Sequence, residues 1–367
     1  MCTAISTGDI MMKPQRVGII GAGHIAQSHA QLWQGEADVV AVCSRQYHKA
    51  VSLANEYGIP VVCTDAEALI QRDDIDIVCI TTPHHLHHPF AVQAVNAGKH
   101  VFCEKPLALN VTEARDMWET SHNAGVKTGI QFSERFHWPS LIRLREMIQE
   151  GVLGEIQYFE GAWAFDWARS PDHPMSWRFQ RDKAGTGALG DLGAYMIDAA
   201  RWLIGEIASV SGHLVTYIKQ RPLIPDLYDF AEIRQMQREN DLPKSTKIGD
   251  VENDDVCTVM VLFENGAHGI IRASRMQRFN TIRVEGSLGV CTWDLQNRIL
   301  MHRSHRQEHY TEVPVQSGTT SPSMYTQFLA NIRDDTDLPP TFYDGLKVQE
   351  VIDAVVKSAE DKRWVNP

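Results

Sequence analysis

Gly21-Ala22-Gly23-His24-Ile25-Ala26 is the segment that most narrows what this chain can fold into. It follows an apolar run, Val17 to Ile20, and opens a stretch with helical spacing, His24 to Trp33. A tight strand-to-helix turn needs one glycine where the chain doubles back and another where its backbone approaches a partner closely. Gly21 and Gly23 stand at those places, and Ala26 takes the small-residue position where helix packs on strand. Further apolar runs at 39–43, 61–63, 75–81, 101–103 and 127–132 alternate with helical spacing at 48–57, 66–70, 89–97 and 112–123. The runs are apolar throughout, the mark of a parallel sheet covered on both faces. A G-x-G-x-x-A turn in that context seats a dinucleotide pyrophosphate on the helix N-terminus. Cofactor contacts are therefore expected at Gly21, Gly23, His24 and Ile25. The bland alternative is an ordinary glycine-rich turn.

The end of the second strand bears on which dinucleotide is bound. An acidic residue there would hydrogen-bond the ribose 2′-hydroxyl of NAD. The chain has Ser44-Arg45 instead, a hydroxyl and a guanidinium suited to the 2′-phosphate of NADP. The expectation is NAD(P), tilted toward NADP with NAD still allowed. A solvated surface arginine is the competing reading.

A chain of 367 residues exceeds what one core usually organises. Residues 1–134 read as a Rossmann domain with a tail at 1–13, and residues 135–367 as an α+β domain. In the second part, 141–150, 191–203, 325–333 and 346–362 have helical character. Strand-like stretches fall at 156–165, 210–218, 255–264, 269–275, 281–285 and 290–294, and a long charged insertion covers 221–250. The net charge of −11 argues against nucleic acid or an anionic membrane as partner. No apolar run approaches the ~20 residues that span a bilayer. The first ten residues lack the basic and apolar regions of a secretory signal. The seven cysteines are odd in number, form no C-x-x-C and mostly sit in apolar runs, as buried residues of a reducing cytoplasm would.

Four further segments act together. They are Thr82-Pro83-His84-His85-Leu86-His87, the block Gly98 to Ala108 containing Glu104-Lys105-Pro106, Trp177-Arg178 followed by Gly185 to Asp198, and Tyr325…Phe328…Asp344-Gly345-Leu346. In this order they resemble the glucose–fructose oxidoreductase/inositol dehydrogenase (Gfo/Idh/MocA) family across nearly the whole chain. The resemblance implies an N-terminal Rossmann domain and a C-terminal domain with a large, mainly antiparallel open sheet. The sheet's face would join subunits into a dimer or tetramer. It also implies NAD(P)-dependent oxidation or reduction of a sugar, glycoside or cyclitol hydroxyl. Lys105 is then the catalytic lysine and Asp191 the aspartate of the second motif. Thr82, His87, Glu104, Lys105, Trp177 and Arg178 fall on the cofactor side. The family usually has histidine where this chain has Tyr195.

Oxidising a secondary alcohol requires a base for the hydroxyl proton while hydride leaves carbon. Asp191 and Tyr195 are four apart and share a helix face. A tyrosine, ordinarily titrating near ~10, needs a neighbouring cation to act as base at neutral pH. Lys105 could supply that cation, orient the hydroxyl or take the proton itself. The expectation places Lys105 and Tyr195 on the reacting oxygen, with Asp191 on a neighbouring hydroxyl or beside Lys105. Otherwise Tyr195 is a half-buried helix residue and Asp191 a cap. Pro106 leaves open a cis Lys105–Pro106 peptide.

His84, His85, His87 and His88 lie between Pro83 and Pro89 in an expected loop. Cofactor-side packing of His87 is preferred to surface histidines, and both to a metal site; no metal is assigned. Trp163, Asp166, Trp167, Arg169 and His173 precede the glycine motif and could meet a sugar, although tryptophans are more often core. Arg135 could line the same cleft. Three functions remain: a sugar dehydrogenase, a redox-neutral glycosidase working by oxidation, elimination, hydration and reduction, and a non-catalytic dinucleotide sensor.

Overall fold

The structure is a computed structural model, and it describes residues 14–224, 230–239, 241–315 and 322–367. The expected tail at 1–13 and Cys2 lie outside them. Six strands form the first sheet: β1 (Arg16–Ile20), β2 (Asp38–Cys43), β3 (Val61–Cys63), β4 (Ile77–Ile80), β5 (His100–Cys103) and β6 (Thr128–Ile130). Their order is β3-β2-β1-β4-β5-β6, and every pairing is parallel. All four residues of β4 are buried, as a central strand covered on both faces requires. The strand order reverses between β1 and β4, which opens a crevice at their C-terminal ends.

The second sheet begins with β7 (Ile156–Ala164) and β8 (Ile207–Val215). Next, β9 (Gln220–Pro222) and β10 (Ile248–Asp250) form a separate two-stranded ribbon. The sheet continues with β11 (Val256–Phe263), β12 (His268–Ser274), β13 (Phe279–Gly286), β14 (Gly289–Asp294), β15 (Ile299–Ser304) and β16 (Thr311–Glu312). Its order is β16-β15-β14-β13-β7-β12-β11-β8. It is antiparallel except where β12 runs parallel to β7. On β11 the side chains alternate: Cys257, Val259, Val261 and Phe263 face inward, while Thr258, Met260 and Leu262 face out. That period of two is what one covered face and one open face produce.

Several expectations change in detail. The insertion at 221–250 contains the ribbon and a helix, Phe230–Glu239. Residues 84–88 are not a loop: His84–Leu86 forms a 3₁₀ turn and His87 opens the helix His87–Asn96. The expected helix at 191–203 starts as a π-helical turn, Leu189–Gly193, before Ala194–Leu203 becomes α-helical. β15 and β16 were not anticipated, because they are short and carry mixed polar residues. The helix Met324–Asp334, read as part of the second domain, packs on the first sheet. Tyr325 and Phe328 join Trp33 and Phe102 in one aromatic cluster, with 4.6 Å between the Trp33 and Tyr325 ring centres.

Candidate active site

The site forms where the crevice of the first sheet meets the second. Gly21 follows β1 with φ +113°, and a Cβ there would stand 2.6 Å from Thr81 Oγ1 and 2.7 Å from the Thr81 carbonyl oxygen. Only glycine fits that turn. A Cβ on Gly23 would meet nothing within 4 Å. The helix His24–Trp33 begins there without a side-chain cap, and Gly23, His24 and Ile25 are exposed. Unmet N–H groups beside an open glycine are what a pyrophosphate needs, so these residues fit a dinucleotide. Ser44 and Arg45 follow β2. Ser44 Oγ accepts the Gln46 N–H at 3.2 Å, and Arg45 is exposed and makes no ion pair among the described residues.

β5 delivers Glu104-Lys105-Pro106 to the same edge, and the Lys105–Pro106 peptide is cis. Glu104 is 6 % exposed. Its Oε1 meets Nε2 of buried His29 at 2.9 Å, and its Oε2 accepts the Lys105 N–H at 3.1 Å. Burial opposes a charge on His29, but the Cys79 sulfur and the Glu104 carboxylate favour it, and the imidazole titrates above its usual value. Glu104 thus fixes the turn that carries Lys105. His87, assigned to the cofactor side, is fully buried; Nδ1 lies 2.9 Å from the Pro106 carbonyl and Nε2 3.0 Å from the Thr82 carbonyl. Its ring ties β4's end to the lysine turn. The other histidines separate: His84 Nδ1 donates to Ala184 O at 3.1 Å, and His88 pairs with Asp116 at 2.6 Å. Among the described residues no three His, Cys, Asp or Glu side chains converge as metal ligands.

The second motif arrives from across the crevice. A Cβ on Gly187 would lie 1.8 Å from the Asp254 carbonyl oxygen, so glycine is required there too. Asp254 accepts the Gly187 N–H at 2.6 Å and the Leu189 N–H at 2.9 Å, capping the π turn. Arg275, fully buried, donates to Asp254 O at 2.6 Å, to Asn253 Oδ1 at 3.1 Å and to Arg178 O at 3.0 Å. Sequence reading missed this hub. Its one signal was the polar run Asn253-Asp254-Asp255 at the entrance to an apolar strand.

The π turn points Asp191 and Tyr195 at Lys105. Lys105 Nζ donates to the Asp191 carbonyl at 2.8 Å and to Asp191 Oδ1 at 3.3 Å, and lies 4.6 Å from the centre of the Tyr195 ring. These three line a cavity of about 320 Å³ with Trp163, Phe165, Trp167, Arg178 and Phe230. Burial pushes the Asp191 carboxyl up, but Lys105, Arg178 and Arg275 outweigh it and bring the group down to about 2. A folded value below the ordinary 3.8 adds stability that is complete above the ordinary value and disappears as pH falls toward about 2. Asp191 therefore stays ionised throughout the working range. Between about pH 5 and 9 the kcat/KM profile is expected to carry no acidic limb from it. An acidic limb that vanishes in Asp191→Asn would contradict this ionisation.

Trp177 stands edge-on to His84 with ring centres 4.6 Å apart, and the Arg178 guanidinium lies 4.5 Å over Trp177 and 5.1 Å from Phe230. Three expected substrate residues are placed away from the cavity around Lys105. Arg135 is buried in ion pairs with Asp198 and Asp344, because its helix faces the second domain's interior. His173 is 1 % exposed behind Trp167 and Phe179, and burial followed by the neighbouring Arg221 holds it at about 3. Asp166 lines an adjoining hollow instead of the cavity around Lys105.

Two family models match the chain: an oxidoreductase family with an NAD-binding Rossmann fold over residues 15–132, and the GFO/IDH/MocA C-terminal domain over 141–292. The chain belongs to the Gfo/Idh/MocA family. This Gfo/Idh/MocA oxidoreductase is 30% identical to levoglucosan dehydrogenase of Pseudarthrobacter phenanthrenivorans over 97% of its own length and 98% of the relative's. It is 27% identical to inositol 2-dehydrogenase of Rhizobium meliloti, covering 96% of this chain and 98% of that one. The solved structure of a levoglucosan dehydrogenase in complex with NADH superposes with a TM-score of 0.84 at 28% identity, covering 96% of this chain and 99% of that chain.

Proposed function

We propose that this enzyme transfers hydride between a nicotinamide and a secondary hydroxyl of a sugar, glycoside or cyclitol. The observation that carries the reading is Lys105 Nζ, held 2.8 Å from the Asp191 carbonyl and over Tyr195, at the mouth of the β1/β4 crevice. When bound, the nicotinamide supplies the hydride acceptor or donor. Lys105 and Tyr195 contact the reacting oxygen, and one of them takes its proton. Asp191 holds Lys105 by charge and can accept a neighbouring hydroxyl. Trp163, 6 % exposed beside Tyr195, offers a flat face to the ring's C–H surface. A panel of sugars, cyclitols and nitrophenyl glycosides with NAD and NADP tests the assignment. Reduced cofactor forming in proportion to product is the expected result. Aglycone released without net reduced cofactor would replace this reading by the redox-neutral glycosidase, and no reduction of either cofactor would end it.

NADP is the slightly favoured cofactor in this reading, with Ser44 and Arg45 holding its 2′-phosphate, and NAD is still accepted. Arg45→Ala should lower kcat/KM for NADP by roughly tenfold and leave NAD within about twofold. Equal losses with both cofactors would remove Arg45 from that role. The exposed Met260 and Leu262 on β11's open face support association into a dimer or tetramer. Sedimentation of Met260→Lys/Leu262→Lys should shift toward monomer; an unchanged distribution would place the interface elsewhere. The buried free thiols of Cys43, Cys79, Cys103, Cys257 and Cys291 suit the reducing cytoplasm, our proposed location. No described helix is long and apolar enough to cross a membrane.

A further inference from the structure

The cavity around Lys105 adjoins a larger hollow of about 500 Å³, and Trp167 and Arg234 line both. Asp166, Arg169, Gln237 and Arg238 complete the outer wall. The chain as a whole is acidic, at −11. Among the described residues that line this hollow the balance reverses, with Arg169, Arg234 and Arg238 against one carboxylate, Asp166. All three arginines are exposed, and none makes an ion pair among the described residues. Arg234 and Arg238 are one turn apart on the helix Phe230–Glu239, so their like charges share a face. Arg238 Nε donates only within that helix, to the Arg234 carbonyl at 3.3 Å, and the Arg234 guanidinium rests 5.9 Å from the Phe230 ring.

The inner cavity is different. There Lys105 answers Asp191, and the Arg178 guanidinium, over Trp177 and Phe230, adds a second cation. Phe230 also packs edge-on against Trp167, which anchors the insertion helix over the boundary between the two spaces. The positive charge therefore runs from the reacting centre outward along one wall. Guanidinium groups left without carboxylate partners and aimed into one hollow bind carboxylate, sulfate or phosphate oxygens.

We infer that the substrate is an anionic carbohydrate. Its reacting ring occupies the inner cavity against Trp163 and Tyr195, and its carboxylate, sulfate or phosphate group lies in the outer hollow on Arg234 and Arg169, with Arg238 strengthening the field. This inference rests on the dehydrogenase reading above and names its substrate class. One other source of anion is close by. Phe230 stands 6.4 Å from His24 of the glycine turn, so the same helix also neighbours the place where cofactor phosphates would sit.

The test uses matched probes: methyl glucopyranoside, the corresponding methyl glucuronoside and methyl glucopyranoside 6-sulfate, with the galacto and manno series beside them. Oxidation is followed with NAD and NADP. Binding is measured separately by calorimetry on protein saturated with NADH, so it is read even where no turnover occurs. The proteins are wild type, Arg234→Gln and Arg169→Gln/Arg238→Gln. An anionic probe is expected to exceed its neutral partner by at least about tenfold, with the advantage shrinking as salt is added. Arg169→Gln/Arg238→Gln, at two residues that line only the outer hollow, should cut that advantage at least severalfold while changing neutral-probe binding and the NADH Kd by less than about threefold, and Arg234→Gln should abolish the advantage. Equal binding of neutral and anionic probes, or no binding of any anionic probe, overturns the inference. So does an Arg234→Gln protein that loses NADH affinity and keeps the charge preference, since the arginine would then serve the cofactor. Tight, charge-selective binding without oxidation would leave the anion site standing and bring down the dehydrogenase reading instead.

Discussion

Lys105→Met is expected to lower kcat by about three orders of magnitude while leaving the NADH Kd within about twofold. The methionine keeps the length of the side chain and removes its charge and its donors. Three things then change together at one point. The reacting hydroxyl loses a proton acceptor or orienting donor. Asp191 loses the cation 3.3 Å from its Oδ1 and the donor 2.8 Å from its carbonyl. Tyr195 loses the ammonium 4.6 Å from its ring. The glycine turn is untouched, because its contacts run through Gly21, Thr81 and the first amides of its helix. Stopped-flow reduction of NAD and fluorescence titration of NADH separate the two effects. A variant that retains full turnover on the best substrate would refute the catalytic assignment. A variant that also loses NADH would show that Lys105 supports the cofactor instead of the chemistry.

The second large effect concerns stability. Arg135 Nε donates to Asp198 Oδ2 at 2.8 Å and its NH2 to Asp344 Oδ1 at 2.9 Å, and all three residues are buried. Burial pushes the Asp198 carboxyl up, and the Arg135 guanidinium pulls against it. Burial would likewise lower the guanidinium, but Asp198 and then Asp344 hold it above its ordinary range. Arg135→Met leaves two carboxyl groups facing one another away from water. The expected loss is about 3–5 kcal/mol, the range for removing one partner of a buried ion pair. Thermal unfolding should begin roughly 10 °C lower. Arg135→Met/Asp198→Leu should recover part of that loss, because the second change removes a carboxylate that the first left stranded. If the single variant unfolds like wild type, the ion pairs contribute little, and if the double variant is the worse of the two, packing and not charge is what Arg135 provides.

The same residue shows what the sequence could reveal. The glycine turn was legible because it is contiguous and its chemistry follows from neighbours one to five positions away, and the contiguous Glu104-Lys105-Pro106 block was legible through its resemblance to the family's motif. Strands β1 to β6 were legible because a sheet buried on both faces leaves continuous apolar runs. Arg135 lies just after β6, where a cleft residue is expected, and nothing local says otherwise. Its partners are 63 and 209 positions away, and only the fold brings them together. Glu104 and His29 meet across 75 positions, so the support beneath Lys105 was equally hidden. The π turn at Leu189–Gly193 was hidden for another reason: Asp191 and Tyr195 have the spacing of an α-helix, and the wider turn depends on Asp254 capping it from the loop before β11.

The helix Met324–Asp334 sets an order on how the protein can mature. A ribosome makes the parallel strands first, yet the aromatic cluster beside them stays open until Tyr325 and Phe328 emerge. Tyr325 also brings its hydroxyl to 3.1 Å from Nδ1 of His29, the residue that supports Glu104. The core of the cofactor half therefore closes only with a helix from far beyond its own last strand. Nascent chains halted short of that helix would show Trp33 and Phe102 to solvent, the kind of apolar patch that chaperones hold and that drives aggregation.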